Sequence, residues 1–221
     1  MLGLARDGGD RRNDRATVHV IDDDVSPREA LGLLLPSIGL DVRTYASVQE
    51  FLDAGAYDSP GCIVLDVRLP GISGLEFQSR CAEIGIQLPI ILMTGHSDIP
   101  MSVRAMKAGA VDFLAKPFRD QDMIDAVTAA IERDRERREA ESAAADIRER
   151  YAALSPREQQ VMALVTAGKM NKQVAFELGL SEITVKTYRG AVMHKMAART
   201  FADLVRMADA LGLGGSSRQT S

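Results

Sequence analysis

A chain of 221 residues with 46% hydrophobic composition has room for one large domain or two smaller ones, and two is the expectation. Its longest apolar runs, Leu31 to Leu35 and Ile90 to Met93, fall far short of the roughly 20 residues a membrane span needs, so no membrane partner is expected. The net charge of −4 is split unevenly: residues 151–221 hold nine Lys or Arg against five Asp or Glu, a net +4, which leaves −8 on the first 150 and suits the rear segment to an anionic partner.

Residues 1–16, MLGLARDGGDRRNDRA, mix charge with glycine and lack the apolar stretch of a secretion signal. They read as the disordered tail of a cytoplasmic protein. From Thr17 to Pro117 short apolar runs alternate with helical patterns: TVHVID, PREALGLLL, LDVRTY, VQEFLDA, GCIVLD, GLEFQSRCAE, LPIILMT, MSVRAMKAG and VDFLAKP. Five Val, Ile and Leu-rich strands separated by four helices imply an α/β domain, a parallel sheet covered on both faces, with a fifth helix starting near Asp120. Pro36 is placed to kink or end the first helix. Cys62 and Cys81 stand singly and read as small buried hydrophobes in a reducing compartment.

Residues 131–147, IERDRERREAESAAADI, favour helix but offer no apolar stripe, which suggests a charged helical connector. After Leu154 only helical patterns remain. Ser155-Pro156-Arg157-Glu158 combines an N-cap, a first-turn proline and a capping-box glutamate. Further helices are expected over Asn171 to Leu178, after Ser181, and after Thr200. The expected divisions are a tail at 1–16, an α/β domain at 17–131, a connector at 132–150, an all-α domain at 151–212 and a flexible tail at 213–221.

In a doubly wound sheet, ligands bind beyond the carboxyl ends of the strands. There the first strand ends in Asp22-Asp23-Asp24, the third in Asp66, the fourth in Thr94 and the fifth in Lys116-Pro117. Clustered carboxylates need a cation between them, and magnesium plus an ammonium would serve. Asp66 beside a metal is then placed to attack phosphorus, with Lys116 balancing charge and Thr94 bonding a phosphoryl oxygen. Taken singly, an aspartate after a strand is more often a helix cap and a strand-end lysine a solvated charge. The combination at four strand ends argues for a site.

Through VIDDD, LDVRLPGISGLE, MTGHSD and AGAVDFLAKPF, residues 17 to about 131 resemble a response-regulator receiver domain of flavodoxin-like fold. The resemblance implies Asp66 as phosphoacceptor and Mg2+ held by Asp23, Asp66 and the Arg68 backbone carbonyl, with Asp22 assisting through water. It also implies Thr94 and Phe113 as switch residues, Lys116 as phosphate partner, and a cis bond before Pro117. Phe113 replaces a common tyrosine, so a switch there works by packing rather than by a hydroxyl. Dimers in this family form through the fourth helix and fifth strand, here roughly residues 100–115.

In NKQVAFELGLSEITVKTYRG, Ala175, Gly179 and Val185 have helix-turn-helix spacing: alanine where helices cross, glycine at a positive φ, and valine packing the second helix back. Glu182 to Met196 is then the groove helix, presenting Thr184, Lys186, Thr187, Arg189 and Gly190, with Lys172 and Lys195 near phosphates. The stretch from Leu154 to Met196 is similar to the LuxR-type DNA-binding domain, and the whole chain resembles response regulators of the FixJ/NarL type, FixJ-type above all. Gly190 inside a helix and Tyr188 in place of a common histidine are departures.

The resemblance implies a transcription regulator, not an enzyme beyond its own aspartate phosphorylation. Its expected partners are a sensor histidine kinase, double-stranded promoter DNA, RNA polymerase and a second copy of itself. Haloacid-dehalogenase-type phosphatases also use an aspartate after a strand, but a second aspartate follows two residues later, where this chain has Arg68. A pure interaction module would not need so complete a pocket.

Overall fold

The computed structural model describes residues 15–55, 57, 59–95, 103 and 105–213. Most of both tails, His96 and much of the expected fourth helix lie outside them. Five parallel strands, β1 (Thr17–Ile21), β2 (Asp41–Tyr45), β3 (Gly61–Asp66), β4 (Ile90–Thr94) and β5 (Asp112–Ala115), form one sheet in the order β2-β1-β3-β4-β5. The central strands β1, β3 and β4 are buried throughout, as strands covered on both faces of a parallel sheet are. Their residues alternate between two cores. Ile21, Ile63, Leu65, Ile90 and Leu92 pack with Phe51 and Phe77 on one face, and Val18, Val20, Cys62, Val64, Ile91 and Met93 with Leu31, Met123 and Val127 on the other.

Helix α1 (Val25–Leu34) starts at Asp24, whose side chain accepts from the Ser26 amide. It gives way to a 3-10 turn, Leu35–Ile38, because Pro36 has no amide to continue the α-helical ladder. Helices α2 (Val48–Ala54) and α3 (Gly74–Cys81) are capped by Ser47 and Ser73. Residues 105–107 are helical, where the fourth helix was expected.

Helix α4 (Asp120–Ala152) runs unbroken through the charged connector. Its buried residues Met123, Ala126, Val127, Ala130, Ile131 and Asp134 recur at helical spacing, so the stripe that covers the sheet ends on a carboxylate. Asp134 accepts from the Gly61 amide at 3.1 Å and from Arg137 and Arg138 at 2.7 Å each. Arg138 donates on to the carbonyls of Tyr57 and Ser59. The chain divides into two compact units between Arg138 and Glu139.

The second unit holds α5 (Pro156–Thr166), α6 (Asn171–Leu178), α7 (Glu182–Lys195) and α8 (Phe201–Ala210). Ser155 and Glu158 close the expected capping box, and Ser181 and Thr200 cap α7 and α8. Its core includes Val161, Met162, Val174, Val185, Val192, Met196 and Leu204, with Ile147 and Tyr151 of α4 packed against it.

Candidate functional site

Parallel pairing in register brings the strand ends to one edge. Ile21 lies opposite Leu65, Asp66 opposite Met93, and Thr94 opposite Ala115, so Asp22, Asp66, Thr94 and Lys116 gather there. Asp22 and Asp66 are buried, with 1% and 5% exposure, and Thr94 is fully enclosed. The Lys116 ammonium reaches both carboxylates, 2.5 Å from Asp22 Oδ2 and 2.8 Å from Asp66 Oδ1. The remaining oxygens are also engaged: Asp22 Oδ1 accepts from the Asp24 amide at 3.0 Å and Asp66 Oδ2 from the Arg68 amide at 2.6 Å. The Arg28 guanidinium donates to the Asp22 carbonyl. Asp23 is exposed beside this cluster, and the Lys116–Pro117 bond is cis. Phe113 is half-buried in β5, opposite Leu92.

Burial raises the Asp22 carboxyl above its usual range, against the pull of Lys116 and of the Asp24 amide. Burial alone would lower Lys116, but the hydrogen bonds it donates to Asp22 and Asp66 outweigh it and hold the ammonium charged. Gly74, at the start of α3, lies against the backbone of Asp66: a Cβ there would stand 2.4 Å from the Asp66 backbone oxygen.

No group of three or more acidic, histidine or cysteine side chains gathers into a metal cage among the described residues. The donors present are hard oxygens only, two of them buried carboxylates sharing one ammonium. That set fits magnesium, which takes one or two carboxylates and keeps several waters, and does not fit a soft metal.

In the second unit, Gly179 adopts φ +65° after α6, and Ala175 and Val185 are buried, as helix-turn-helix packing requires. Lys172, Lys186, Thr187 and Gly190 are exposed. The other sequence candidates already have partners. Thr184 shares a 2.8 Å hydrogen bond with Ser181, and Arg189 donates to Asn171 at 2.6 Å and lies 5.2 Å from the centre of the Phe201 ring. Lys195 donates at 2.7 Å to Glu158, the capping-box glutamate of α5. The Lys195 ammonium and the Ser155 amide hold the Glu158 carboxyl below its usual range.

Sequence reasoning did not single out Gly74, Asp134, or the pairing of Lys195 with Glu158. Gly74 had a local signal, as the second glycine of the segment GISGLE; the contacts of Asp134 with Gly61 and of Lys195 with Glu158 join positions far apart in sequence.

Both units of the chain match known families. Residues 18–128 match the response regulator receiver domain family, and residues 152–208 the luxR family of bacterial regulatory proteins. Nodulation protein W of Bradyrhizobium diazoefficiens is 57% identical over 91% of this chain and 89% of its own length. The transcriptional regulatory protein FixJ of Azorhizobium caulinodans is 47% identical over 92% of this chain and 96% of its own. Among solved structures, the response regulator StyR is 44% identical, covers 88% of this chain and 98% of its own, and superposes with a TM-score of 0.79. Full-length FixJ from B. japonicum, also 44% identical, covers 90% and 98% with a TM-score of 0.55. No helix among the described residues is long and apolar enough to cross a membrane. A receiver joined to a LuxR-family domain, with FixJ proteins similar along nearly the whole chain, makes this protein a member of the FixJ/NarL-type response regulators, DNA-binding regulators of two-component systems that are activated by phosphorylation.

Proposed function

We propose that Asp66 is the phosphoryl acceptor, receiving the group from a sensor histidine kinase, and that this drives dimerisation and promoter binding in the cytoplasm. The observation that carries the reading is the Lys116 ammonium bonded to both Asp22 and Asp66 at the carboxyl edge of the sheet. An Asp66 carboxylate oxygen bonds to phosphorus as the donor's bond to phosphorus breaks and its electron pair leaves with the donor. Lys116 then pairs with the phosphoryl group, the Thr94 hydroxyl bonds one of its oxygens, and Phe113 repacks. Asp23, Asp66 and the Arg68 carbonyl hold Mg2+, with Asp22 acting through water. When bound, the ion offsets negative charge on the phosphoryl oxygens.

Dimerisation uses residues 100–115, part of which lie outside the described residues. In the second unit, α7 enters the major groove with Lys186, Thr187 and Gly190 toward the bases, and Lys172 lies near phosphates. Thr184, Arg189 and Lys195, bonded within the unit, support the reading by holding α7 in place. The bound dimer acts on RNA polymerase.

The test compares gel-filtration mass and binding to promoter-fragment DNA, with and without a small acyl phosphate plus Mg2+, for the wild type and Asp66→Asn. A gain in dimer and in affinity confined to the wild type is expected. An equal response of the variant, or none from either protein, overturns the assignment.

A further inference from the structure

Helix α7 turns Val185 and Val192 into the core, while Ile183, Lys186, Thr187 and Gly190 fall on an exposed face at helical spacing. That face is polar or small except at Ile183, which is 80% exposed in the first turn. Nothing stands within 4 Å of where a Gly190 Cβ would sit, so the face is open along two turns. The start of the helix is held firmly. The Ser181 hydroxyl takes the Thr184 amide at 3.1 Å and bonds the Thr184 hydroxyl, and Thr187 donates to the Ile183 carbonyl at 3.1 Å. A β-branched side chain in a helix has one strongly preferred rotamer, so Ile183 is a preset apolar projection rather than a mobile one.

We infer that Ile183 is a specificity-determining residue that reads thymine through its C5-methyl group, a reading that rests on the proposed entry of α7 into the major groove. Thymine is the base that offers a methyl group in that groove, and apolar side chains recognise it by contact. The leading turn of a groove helix is the part that reaches base edges. Lys186 and Thr187, polar neighbours on the same face, are suited to hydrogen-bonding edges and Ile183 is not. The residue therefore adds a thymine requirement that charge alone does not supply.

The experiment takes the full-length protein, treated with an acyl phosphate and Mg2+, and selects a bound duplex from randomised DNA. Each thymine in that duplex is then replaced singly by deoxyuridine, which removes only the methyl group. Wild type is expected to lose about fourfold in affinity at one thymine per half-site, the worth of one buried methyl-sized group. Ile183→Ala is expected to bind the thymine duplex more weakly and to show no further loss at that position, while keeping the wild-type response elsewhere. Indifference of the wild type to every deoxyuridine, or an unchanged penalty in Ile183→Ala, overturns the assignment and leaves α7 as the reading helix. Failure to select any preferred duplex overturns both the assignment and groove entry by α7. Circular dichroism of the variant, altered only at an exposed position, confirms folding.

Discussion

Gly74 passes so close to Asp66 that a side chain at 74 has nowhere to go: a Cβ would lie 2.4 Å from the Asp66 backbone oxygen and 3.1 Å from the Val67 Cα. The Gly74 amide donates to the Val67 carbonyl at 3.0 Å, so the start of α3 and the end of β3 are joined by backbone contact. Since the obstacle is backbone, Gly74→Ala is expected to push α3 outward, destabilise the receiver by about 1–3 kcal/mol and slow phosphorylation from an acyl phosphate. Urea unfolding together with phosphorylation kinetics checks it. Wild-type values in both would show that α3 yields without disturbing Asp66.

Asp134 ties the end of the α4 stripe to the opposite edge of the same sheet. Its carboxylate is fully buried and meets the Gly61 amide and two guanidiniums. Removing one partner of a buried pair leaves uncompensated charge, so Asp134→Ala is expected to cost about 3–5 kcal/mol, and Asp134→Asn less because an acceptor remains for Gly61. A double-mutant cycle with Arg138→Ala isolates the pair. A coupling energy near zero would mean that Asp134 acts through Gly61 and Arg137 rather than through Arg138.

His19 makes the stability of the receiver depend on pH. It is buried in β1 with Nδ1 3.1 Å from the Tyr45 hydroxyl and its ring beside Phe51. Burial, with a smaller contribution from Arg43, lowers its pKa from 6.5 to about 4. Between those values the unfolded chain binds a proton that the native state does not, so stability is full above pH 6.5 and falls as pH drops toward 4. Unfolding at pH 5.5 is expected to show about 1 kcal/mol less stability than at pH 7, a difference that His19→Gln removes. If the slope persists in that variant, another group is responsible.

Lys195 is expected to act on stability rather than on DNA phosphates. Its bond to Glu158 supports the capping box of α5, so Lys195→Met should cost roughly 1 kcal/mol. The salt dependence of DNA binding should stay unchanged, whereas Lys172→Ala, which removes the exposed lysine placed near phosphates, should lower the slope of log K against log salt by about 0.9. A reduced slope in Lys195→Met would return Lys195 to the interface.

Local chemistry made much of the protein legible. Val, Ile and Leu-rich runs announce β1, β3 and β4, Pro36 ends α1, and the cap residues Ser155, Ser181 and Thr200 each open a helix where the pattern places them. Such signals act within one turn of helix or one strand, so the sequence carries them directly. The charged stretch after Ile131 was harder to read. It lacks an apolar stripe, yet its first turns are anchored on the sheet, because Asp134 finds its partners in the amide of Gly61, 73 positions away, and in Arg137 and Arg138.

By itself the sequence determined two domains of different class, the acidic strand ends, and the helix-turn-helix spacing of Ala175, Gly179 and Val185. Tertiary structure decided which of those groups meet. Lys116 joins Asp22 and Asp66 across 94 and 50 positions, Lys195 turns to Glu158, and Ile183 is left facing outward. The physical reason is range: propensity and capping are set by neighbours along the chain, whereas the pairing of charges and the exposure of one apolar side chain depend on which distant backbones pack together.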